Sequence, residues 1–402
     1  MRILFATDQY FPTLGGISTV TYRLAKALTD RSHTVAIIAP STSWKFKKET
    51  EEGFTIFRVR SLPLFDKKGL RYAPTFLYTN KIKKIIKTFA PDIVHLETPN
   101  NIAVITAQIA RKLSIPIIGT CHIMPENISG ALPFLPSQIG KVVGKLYMRQ
   151  MIRIFNRIDF VTAPTQTGIA ILKAYGIKTP SMALSNGIDL AEFGEPSLEK
   201  KETIKKNLKI PNIPLILYIG RLDKEKRVNI LVEALALLSD NIPFHVLIAG
   251  TGNERARLQD LVHAYHLEEK VTFIGLVPKE ELPILYSIAS FFVMPSTAEL
   301  QSLVTMEAMA LKLPVIGAEA GALPYLIQES RNGFLFEPDN PADLAKKLVL
   351  LLKDGKLREK MGAESFKLIQ QHDIHVITKK MEVLYEKLIE KNNNKRFLSA
   401  TS

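Results

Sequence analysis

Two glutamates in the C-terminal half of the chain, Glu299 and Glu307, have a spacing that suits ligand binding. A separation of eight residues is about two turns of α-helix, so a glutamate just before a helix and one inside it can face the same molecule. The unpaired N–H groups of the first helical turn can bind oxygens of that molecule. Together these groups suit a phosphorylated sugar, with Glu299 accepting from sugar hydroxyls and Glu307 holding a ribose diol. A capped helix with two solvated carboxylates has the same spacing. The rest of the chain must therefore show whether this segment is a binding site or only such a helix.

The elements around these residues follow an alternating α/β pattern. One candidate first strand, residues 3–6, precedes Gly15-Gly16 and a helical pattern, and a second, residues 214–219, precedes Gly220-Arg221 and another. Further apolar runs alternate with helical patterns at residues 34–39, 93–96, 115–120, 160–163, 244–249, 271–274, 291–294 and 314–316. Nearly continuous apolar strands between helices predict parallel sheets covered on both faces. We therefore predict an α/β protein with two doubly wound domains and ligands at the carboxyl ends of the strands.

The length of the chain also favours two domains. At 402 residues it exceeds what one hydrophobic core usually holds and suits two domains of about 150 to 200 residues. The charged and Pro-containing stretch between Ser181 and Ile213 is the expected boundary. We assign residues 1–185 to an N-terminal domain, 186–380 to a C-terminal domain, and 381–402 to a terminal helix and polar tail that can return to the N-terminal domain.

Cysteine content and hydropathy predict a cytoplasmic protein. The single cysteine, Cys121, excludes an internal disulfide and disfavours a structural zinc site, which fits a reducing compartment. No apolar run reaches the roughly 18 residues that span a bilayer, and the N-terminus lacks the pattern of a signal peptide.

The positive charge is confined to the N-terminal half. The net charge is +14, and residues 1–185 hold 25 Lys and Arg against 10 Asp and Glu, whereas residues 186–402 hold 28 against 29. This asymmetry predicts an anionic partner for the N-terminal half. Because no nucleic-acid-binding motif is present, we predict no nucleic acid partner and favour an anionic membrane surface, where each Lys or Arg contributes about 1 kcal/mol.

A helical pattern over residues 78–89 is the main candidate for a membrane face. Apolar residues at 82, 85, 86 and 89 alternate with Lys81, Lys83, Lys84 and Lys87. This is the pattern of a basic amphipathic helix on a membrane, but also of a crossover helix packed on the sheet with its lysines in water. Further basic and apolar residues occur at 45–48, 67–72 and 141–157.

The order of motifs along the chain resembles glycosyltransferase family 4. The C-terminal half contains, after successive strands, Gly220-Arg221-Leu222-x-x-x-Lys226, Ala249-Gly250-Thr251-Gly252, Phe273-Ile274-Gly275 and the two-glutamate segment. The N-terminal half contains Gly15-Gly16, Pro91-Asp92-Ile93-Val94-His95, Thr120-Cys121-His122 and Ser185-Asn186-Gly187-Ile188-Asp189. The resemblance implies the GT-B fold, in which two facing Rossmann-like domains enclose an interdomain active-site cleft. It also implies that the N-terminal domain binds the acceptor and the C-terminal domain the nucleotide-sugar donor.

The resemblance assigns Arg221 and Lys226 to the donor diphosphate. An arginine fork and a lysine point charge can neutralise the leaving group. Arg221 can alternatively pair with Asp223 or Glu225.

Three further sites are implied by the same resemblance. Gly15 and Gly16 match the loop whose backbone approaches the phosphate and the reacting sugar. Gly250 either allows a tight turn or contacts the ligand, and Gly275 lies next to the base of the nucleotide. His122 matches an active-site histidine near the sugar hydroxyls, so we predict catalytic contributions from His122, Glu299, Arg221 and Lys226. Cys121, adjacent to it in an extended segment, points to the opposite face and is interpreted as a packing residue, as is His95.

The segment between the two glutamates departs from the commonest family pattern. Many members have glycine where this chain has Ser302, and an aromatic residue where it has Gln301. Gln301 resembles the variant found among glycolipid-forming members. We expect Gln301, Ser302, Leu303 and Val304 to contact the donor, with the identity of the base and sugar left open.

The predicted function is a retaining, metal-independent glycosyltransferase. It would move a hexose, from UDP-glucose by preference, to a hydroxyl of a membrane lipid such as diacylglycerol, resembling diacylglycerol glucosyltransferases and phosphatidylinositol mannosyltransferases. We expect no cofactor, no metal site and a peripheral location at the inner face of the membrane; the acids Asp8 and Asp189 stand alone in their loops. A soluble sugar or polysaccharide acceptor, and an inactive nucleotide-sugar-binding protein, are the alternatives. A nicotinamide-dependent oxidoreductase is disfavoured because G-x-G-x-x-G is missing.

Overall fold

The computed structural model describes residues 1–13, 15–63, 71–97, 99–125 and 137–400, which form two compact units. The first unit contains the described residues of Met1–Pro125, of Lys141–Gly187 and of His372–Ser402, and the second consists mainly of Ile188–Gln371. The chain therefore changes unit between residues 187 and 188 and again between 371 and 372, where the sequence had suggested 185/186 and 380/381.

The first unit is built on an eight-stranded sheet. Its strands are β1 Arg2–Ala6, β2 Thr34–Pro40, β3 Lys47–Glu51, β4 Phe54–Val59, β7 Ile93–Leu96, β8 Ile117–Thr120, β9 Phe160–Ala163 and β10 Ser181–Ala183; β5 Leu62–Pro63 and β6 Arg71–Tyr72 form a separate antiparallel pair. The order is β10-β9-β8-β7-β1-β2-β4-β3. All neighbours are parallel except β3, which pairs antiparallel with β4 at the edge.

Helices cover both faces of this sheet. They are α1 Gly16–Asp30, α2 Thr79–Phe89, α3 Asn101–Lys112, α4 Ser137–Phe155 and α5 Gln166–Ala174. Successive residues of a strand point to opposite faces, so Phe5 packs with Leu24 and Leu28 of α1, whereas Leu4 packs in the cluster that contains Ile82 and Ile86 of α2. Burial on both faces explains the nearly continuous apolar strands.

The second unit has a six-stranded parallel sheet. Its strands are β11 Leu215–Ile219, β12 His245–Ala249, β13 Val271–Gly275, β14 Phe291–Met294, β15 Val315–Ala318 and β16 Gly333–Phe336. The order β13-β12-β11-β14-β15-β16 reverses direction beside β11, which is the Rossmann arrangement and puts ligands at the carboxyl ends of β11 and β14. Its helices are α6 Leu198–Asn207, α7 Val228–Ala236, α8 Arg255–Ala264, α9 Leu282–Ile288, α10 Leu303–Ala310, α11 Leu323–Leu326, α12 Pro341–Lys353 and α13 Gly355–Ile369. The predicted α/β class with two doubly wound domains is confirmed.

The last helix, α14 Ile374–Ala400, belongs to the core of the first unit. Ile377, Met381, Tyr385 and Leu388 lie on one stripe of the helix and are buried in the same cluster as Phe5. Glu382 on α14 forms hydrogen bonds with Arg31 at 2.6 and 2.7 Å and with His33 at 2.7 Å.

We expect Glu382→Gln to lower the stability of the first unit by about 1 kcal/mol at neutral pH. Burial alone would raise the pKa of Glu382, but the hydrogen bonds and charges of Arg31 and His33 outweigh it and lower that pKa. A carboxyl whose pKa is lower in the folded than in the unfolded chain stabilises the fold above the unfolded value and loses this contribution as the pH falls. Denaturation at several pH values should therefore show a difference from wild type that is full at neutral pH and shrinks as the pH falls below the unfolded pKa of about 4.3. Glu386→Gln, one turn further along α14, is the control; an equal loss there, or a difference that persists in acid, would contradict the assignment.

Candidate active site

Arg221 lies in the loop after β11 and pairs with two carboxylates of its own loop. Its guanidinium contacts Asp223, and Nη2 lies 2.7 Å from Oε1 of Glu225. This pairing is the alternative that the sequence left open. The side chain is nevertheless 52% exposed, so a ligand can reach it. Its role in binding a diphosphate stays a prediction.

Lys226 and Glu299 come from two different loops and form an ion pair. Lys226 ends the short 3-10 turn Lys224–Lys226, and Glu299 lies in the loop after β14. Nζ of Lys226 is 2.5 Å from Oε1 of Glu299, and the side chains are only 14% and 11% exposed. The sequence assigned these residues to a phosphate and to a sugar without predicting their contact. The structure puts a cation and a hydrogen-bond acceptor side by side at the carboxyl edge of the sheet.

The glycine at 250 is required by the packing of two neighbouring loops. A Cβ on Gly250 would lie 1.8 Å from the carbonyl oxygen of Gly220, and the φ of +135° is itself unfavourable for other residues. The N–H of Gly220 donates to the carbonyl of Ala249 at 3.0 Å, and that of Gly250 to the carbonyl of Gly275 at 2.6 Å. The turn interpretation is therefore sufficient for Gly250, and direct donor contacts of Gly250 and Gly275 stay predictions.

Tyr218 holds the backbone of the Arg221 loop through a hydrogen bond from a buried strand. Its side chain is fully buried in β11, and its hydroxyl donates to the carbonyl oxygen of Arg221 at 2.8 Å. Burial raises the pKa of Tyr218 well above its usual value, and the nearby carboxylate of Glu299 adds to the rise. The phenol therefore stays protonated and holds the backbone of this loop in place.

The two-glutamate segment is buried, which excludes the solvated-helix interpretation. Counted as whole residues, Glu299, Gln301, Ser302 and Glu307 are each at most 8% exposed. Helix α10 begins at Leu303 with Ser302 as its N-cap, and the side chain of Ser302 forms no capping hydrogen bond. Of the residues predicted to contact the sugar donor, Glu299, Gln301 and Ser302 therefore lie in the loop before the helix. Leu303 and Val304 begin its first turn.

Glu307 is held by a tyrosine from another helix. It lies in the second turn of α10, and the hydroxyl of Tyr286 on α9 is 3.0 Å from its Oε2 and 3.1 Å from the carbonyl oxygen of Val304. Tyr286 is fully buried. A carboxylate fixed from one side in this way keeps its other lone pairs in a defined direction.

In the first unit, His122 is bonded to a carboxylate that the sequence analysis did not identify. Nε2 of His122 donates to Oε2 of Glu97 at 2.6 Å, and the side chains are 5% and 1% exposed. Burial alone would raise the pKa of Glu97, but attraction to His95 and the hydrogen bond from His122 outweigh it and lower that pKa. Oε1 of Glu97 is buried with no hydrogen-bond partner among the described residues. An ionised Glu97 can only accept, so it fixes the proton of His122 on Nε2.

His95 and Cys121 are packing residues, as predicted. His95 is fully buried, with Nδ1 2.6 Å from the hydroxyl of Tyr385 and Nε2 2.6 Å from that of Thr120. Burial lowers the pKa of His95, although the charge of Glu97 opposes this. Cys121 is buried against Met148 and Phe155, and burial raises its pKa to about 11. A cysteine–histidine catalytic pair is therefore not formed.

The remaining loop residues have clear structural positions. Gly15 is the N-cap of α1 and Gly16 is its first residue, which puts both at the helix N-terminus that follows β1. Asp8 accepts from the backbone of α3 at Ile102 (2.9 Å), and Asp189 caps the 3-10 turn after it. Among the described residues, no group of three or more His, Cys, Asp and Glu side chains is arranged to hold a metal ion.

The four lysines of the predicted membrane face are exposed, but the apolar residues of their helix are not. Lys81, Lys83, Lys84 and Lys87 all lie in water on α2. The apolar residues Ile82, Ile85, Ile86 and Phe89 are at most 9% exposed. Helix α2 thus packs on the sheet as a crossover helix, the second of the two interpretations. Lys67 and Lys68 lie outside the described residues. None of the helices in the described part of the chain has the length and hydropathy needed to cross a bilayer.

Sequence reasoning missed three residues that contact the candidate site: Glu97, Tyr218 and Tyr286. A signal existed for Glu97, because it lies two residues after His95 at the end of the same strand and alternation puts both on one face. The motif Pro91-Asp92-Ile93-Val94-His95 ends before Glu97. No sequence pattern connects Tyr218 or Tyr286 to the loops that they support.

Two Rossmann-like units with these loops at the strand ends define a glycosyltransferase of the GT-B fold. The structure of Anabaena HepE in complex with UDP matches with a TM-score of 0.77 over 96% of this chain and 100% of that chain, at 20% identity, which shows the fold. The profile of Glycosyltransferase Family 4 matches residues 14–192, and that of Glycosyl transferases group 1 matches residues 199–368. The two profiles together span residues 14–368, and the predicted resemblance to glycosyltransferase family 4 is confirmed.

Similar curated proteins include two glycolipid synthases. The alpha-monoglucosyldiacylglycerol synthase of Streptococcus pneumoniae is 28% identical over 91% of this chain and 83% of that protein. The enzyme of the same name from Acholeplasma laidlawii is 26% identical over 98% of this chain and 99% of that protein. The present chain is therefore an enzyme, a glycosyltransferase that acts on lipid or sugar acceptors.

Proposed function

We propose that this enzyme moves a hexose from a nucleoside diphosphate sugar, with UDP-glucose favoured, to a hydroxyl of a membrane lipid such as diacylglycerol. The observation that carries the proposal is the pair formed by Lys226 and Glu299, 2.5 Å apart. The pair combines a cation that suits a diphosphate with a carboxylate that can accept hydrogen bonds from sugar hydroxyls. The names of the two glycolipid synthases support the lipid acceptor and the glucosyl group.

The donor side must neutralise the leaving diphosphate. In the reaction, the bond between the anomeric carbon and the diphosphate oxygen breaks, a bond to the acceptor oxygen forms, and the acceptor hydroxyl gives its proton to the leaving diphosphate. When the donor binds, Arg221 would leave Asp223 and Glu225 and pair with phosphate oxygens. Lys226 would leave Glu299 and pair with phosphate oxygens too. Because two cations supply this charge, we propose that no metal is required.

The remaining contacts orient the donor. We assign Glu299, once released by Lys226, to hydroxyls of the sugar and Glu307, held by Tyr286, to the ribose diol. The backbone N–H groups around Ser302 and Leu303 would add contacts to oxygens of the donor. Retention of the anomeric configuration is proposed from the resemblance to family 4.

The first unit is proposed to supply the acceptor side and further donor contacts. His122, fixed by Glu97, is assigned to a sugar hydroxyl, and the backbone at Gly15 and Gly16 to the phosphate or the reacting sugar. The exposed lysines of α2 are proposed to hold this unit at an anionic surface, at the inner face of the membrane.

The direct test is transfer from labelled donors to diacylglycerol dispersed in detergent. We expect labelled glycolipid from UDP-glucose, less from UDP-galactose, UDP-N-acetylglucosamine and GDP-mannose, and no loss of rate with EDTA. NMR of the product reports the configuration of the new bond. Activity lost in EDTA and restored by a divalent cation would contradict metal independence. Labelling of soluble sugars alone would favour the soluble-acceptor alternative, and tight UDP binding without transfer would favour an inactive nucleotide-sugar-binding protein.

A further inference from the structure

We propose that five exposed apolar side chains beside α2 form an anchor that inserts into the surface of an anionic bilayer. This apolar rim consists of Trp44, Leu62, Tyr72, Phe76 and Leu77. The inference deepens the proposed function and rests on its lipid acceptor, because it names how the first unit would hold the surface in which that acceptor lies.

The lysines of α2 cannot form this anchor alone. All apolar side chains of α2 are buried in the core of the first unit, so the helix offers only charge to a membrane. Charge alone gives adsorption that salt reverses. An anchor that resists salt needs apolar side chains that reach below the headgroups, and these must come from another part of the surface.

The apolar rim supplies such side chains. Phe76 and Leu77, in the 3-10 turn directly before α2, are 71% and 57% exposed, and the other three members are 41–49% exposed. Isolated exposed apolar residues are ordinary on protein surfaces. A group of five that includes a tryptophan and a tyrosine is the composition found where proteins meet the headgroup region, because an aromatic ring with a polar edge suits both phases.

Local contacts bring the five residues into one region. The ring of Trp44 is 6.1 Å from that of Tyr78, which directly follows Leu77. Leu62 is the partner of Tyr72 in the β5–β6 pair. Arg71 donates to Ser61 Oγ at 2.7 Å, and Ser61 donates to the carbonyl of Ser41, which joins this pair to the segment that leads to Trp44.

The charge around the rim complements an anionic surface. The guanidinium of Arg60 is 6.0 Å from the ring centre of Tyr78, and Nζ of Lys81 is 3.8 Å from that of Phe46. Lys45, Lys47 and Lys48 are exposed beside Trp44. Basic side chains around an apolar centre can lay their stems along it and keep their charges at the lipid phosphates. The occupant that fits both features is a bilayer that contains acidic lipid.

Trp44 makes the proposal directly measurable, because it is the only tryptophan of the chain. Vesicles of phosphatidylcholine with phosphatidylglycerol are added to the enzyme without donor or acceptor, with and without bromine on the acyl chains. We expect a blue shift of Trp44 emission and quenching by the brominated lipid. Vesicle binding that leaves the emission unchanged and unquenched would overturn the proposal and point instead to the exposed Val142 and Leu146 on α4.

A matched pair of double variants separates the rim from general surface hydrophobicity. Phe76→Ser/Leu77→Ser should weaken vesicle binding by about tenfold or more, and the binding that is left should disappear in high salt. Leu198→Ser/Leu237→Ser removes two side chains of similar exposure, 77% and 58%, from the second unit and should bind as wild type does. Equal vesicle binding by the rim variant, or no binding by wild type, overturns the anchor.

Transfer to detergent-dispersed diacylglycerol distinguishes this proposal from the proposed function. The rim variant should keep that activity, since detergent removes the need for a bilayer, and this result also shows that it is folded. If wild type binds vesicles through the rim but transfers to no lipid, the lipid acceptor fails and the anchor stands. If it transfers in detergent but Trp44 never enters a bilayer, the anchor fails and the acceptor stands.

Discussion

Glu299→Gln is expected to lower the rate of transfer by about a hundredfold or more while UDP binds as tightly as to wild type or more tightly. In the absence of donor, Glu299 is the counterion of Lys226, at 2.5 Å. A diphosphate must compete with this carboxylate for the ammonium group. The amide of glutamine competes weakly, so Lys226 becomes more available to phosphate. The carboxylate that is proposed to accept hydrogen bonds from the sugar hydroxyls is lost.

Calorimetry with UDP and steady-state transfer rates measure the two effects separately. Lys226→Ala should weaken UDP binding and transfer together, because it removes the phosphate partner and leaves a buried carboxylate unpaired. Glu364→Gln is a matched control, since Glu364 is also a carboxylate paired with cations, Arg331 and Lys367, but lies on α13. If Glu299→Gln weakens UDP binding as much as it lowers transfer, the division of roles between Glu299 and Lys226 is wrong.

Glu97→Gln is expected to reduce kcat by about tenfold to a hundredfold, with little change in UDP affinity. Glu97 is a positioning residue: it would act through His122, whose Nε2 proton it holds at 2.6 Å. Glutamine has the same shape but can present its amide N–H₂ to the ring, so the orientation and tautomer of His122 are no longer fixed.

A double-mutant cycle tests whether Glu97 acts through His122. In a His122→Ala background, Glu97→Gln should cause no further loss of transfer. Tyr385→Phe is the structural control, because it removes the hydrogen bond to His95 in the same core and should affect stability without affecting transfer. Additive losses from Glu97→Gln and His122→Ala would show that Glu97 serves the fold, or another group, instead of His122.

The strands and the position of the candidate site at their carboxyl ends follow from signals that a sequence carries locally. Strands buried on both faces are continuously apolar, so the ten strands predicted from such runs are all present. Strand β3, Lys47–Glu51, was missed because all but one of its residues are charged. It forms at a sheet edge, where charged side chains face water and the pairing with β4 supplies the backbone hydrogen bonds.

The contacts that define the site depend on long-range packing and could not be derived in this way. Lys226 and Glu299 are separated by 73 residues, and their ion pair exists because β11 and β14 are neighbours in the sheet. Helix α2 shows the limit of a local pattern in another way. Its amphipathic pattern was correct, but periodicity cannot distinguish an apolar stripe that faces a sheet from one that faces a membrane.

The position of α14 sets the order in which the two units can finish folding during synthesis. Residues 188–371 contain a whole sheet with its helices and can fold as soon as they have left the ribosome. The first unit must wait for Met381 and Tyr385, which close one face of the sheet that begins at β1. The part of the enzyme that is translated first is thus finished last, and its apolar face has to be protected while the second unit is made.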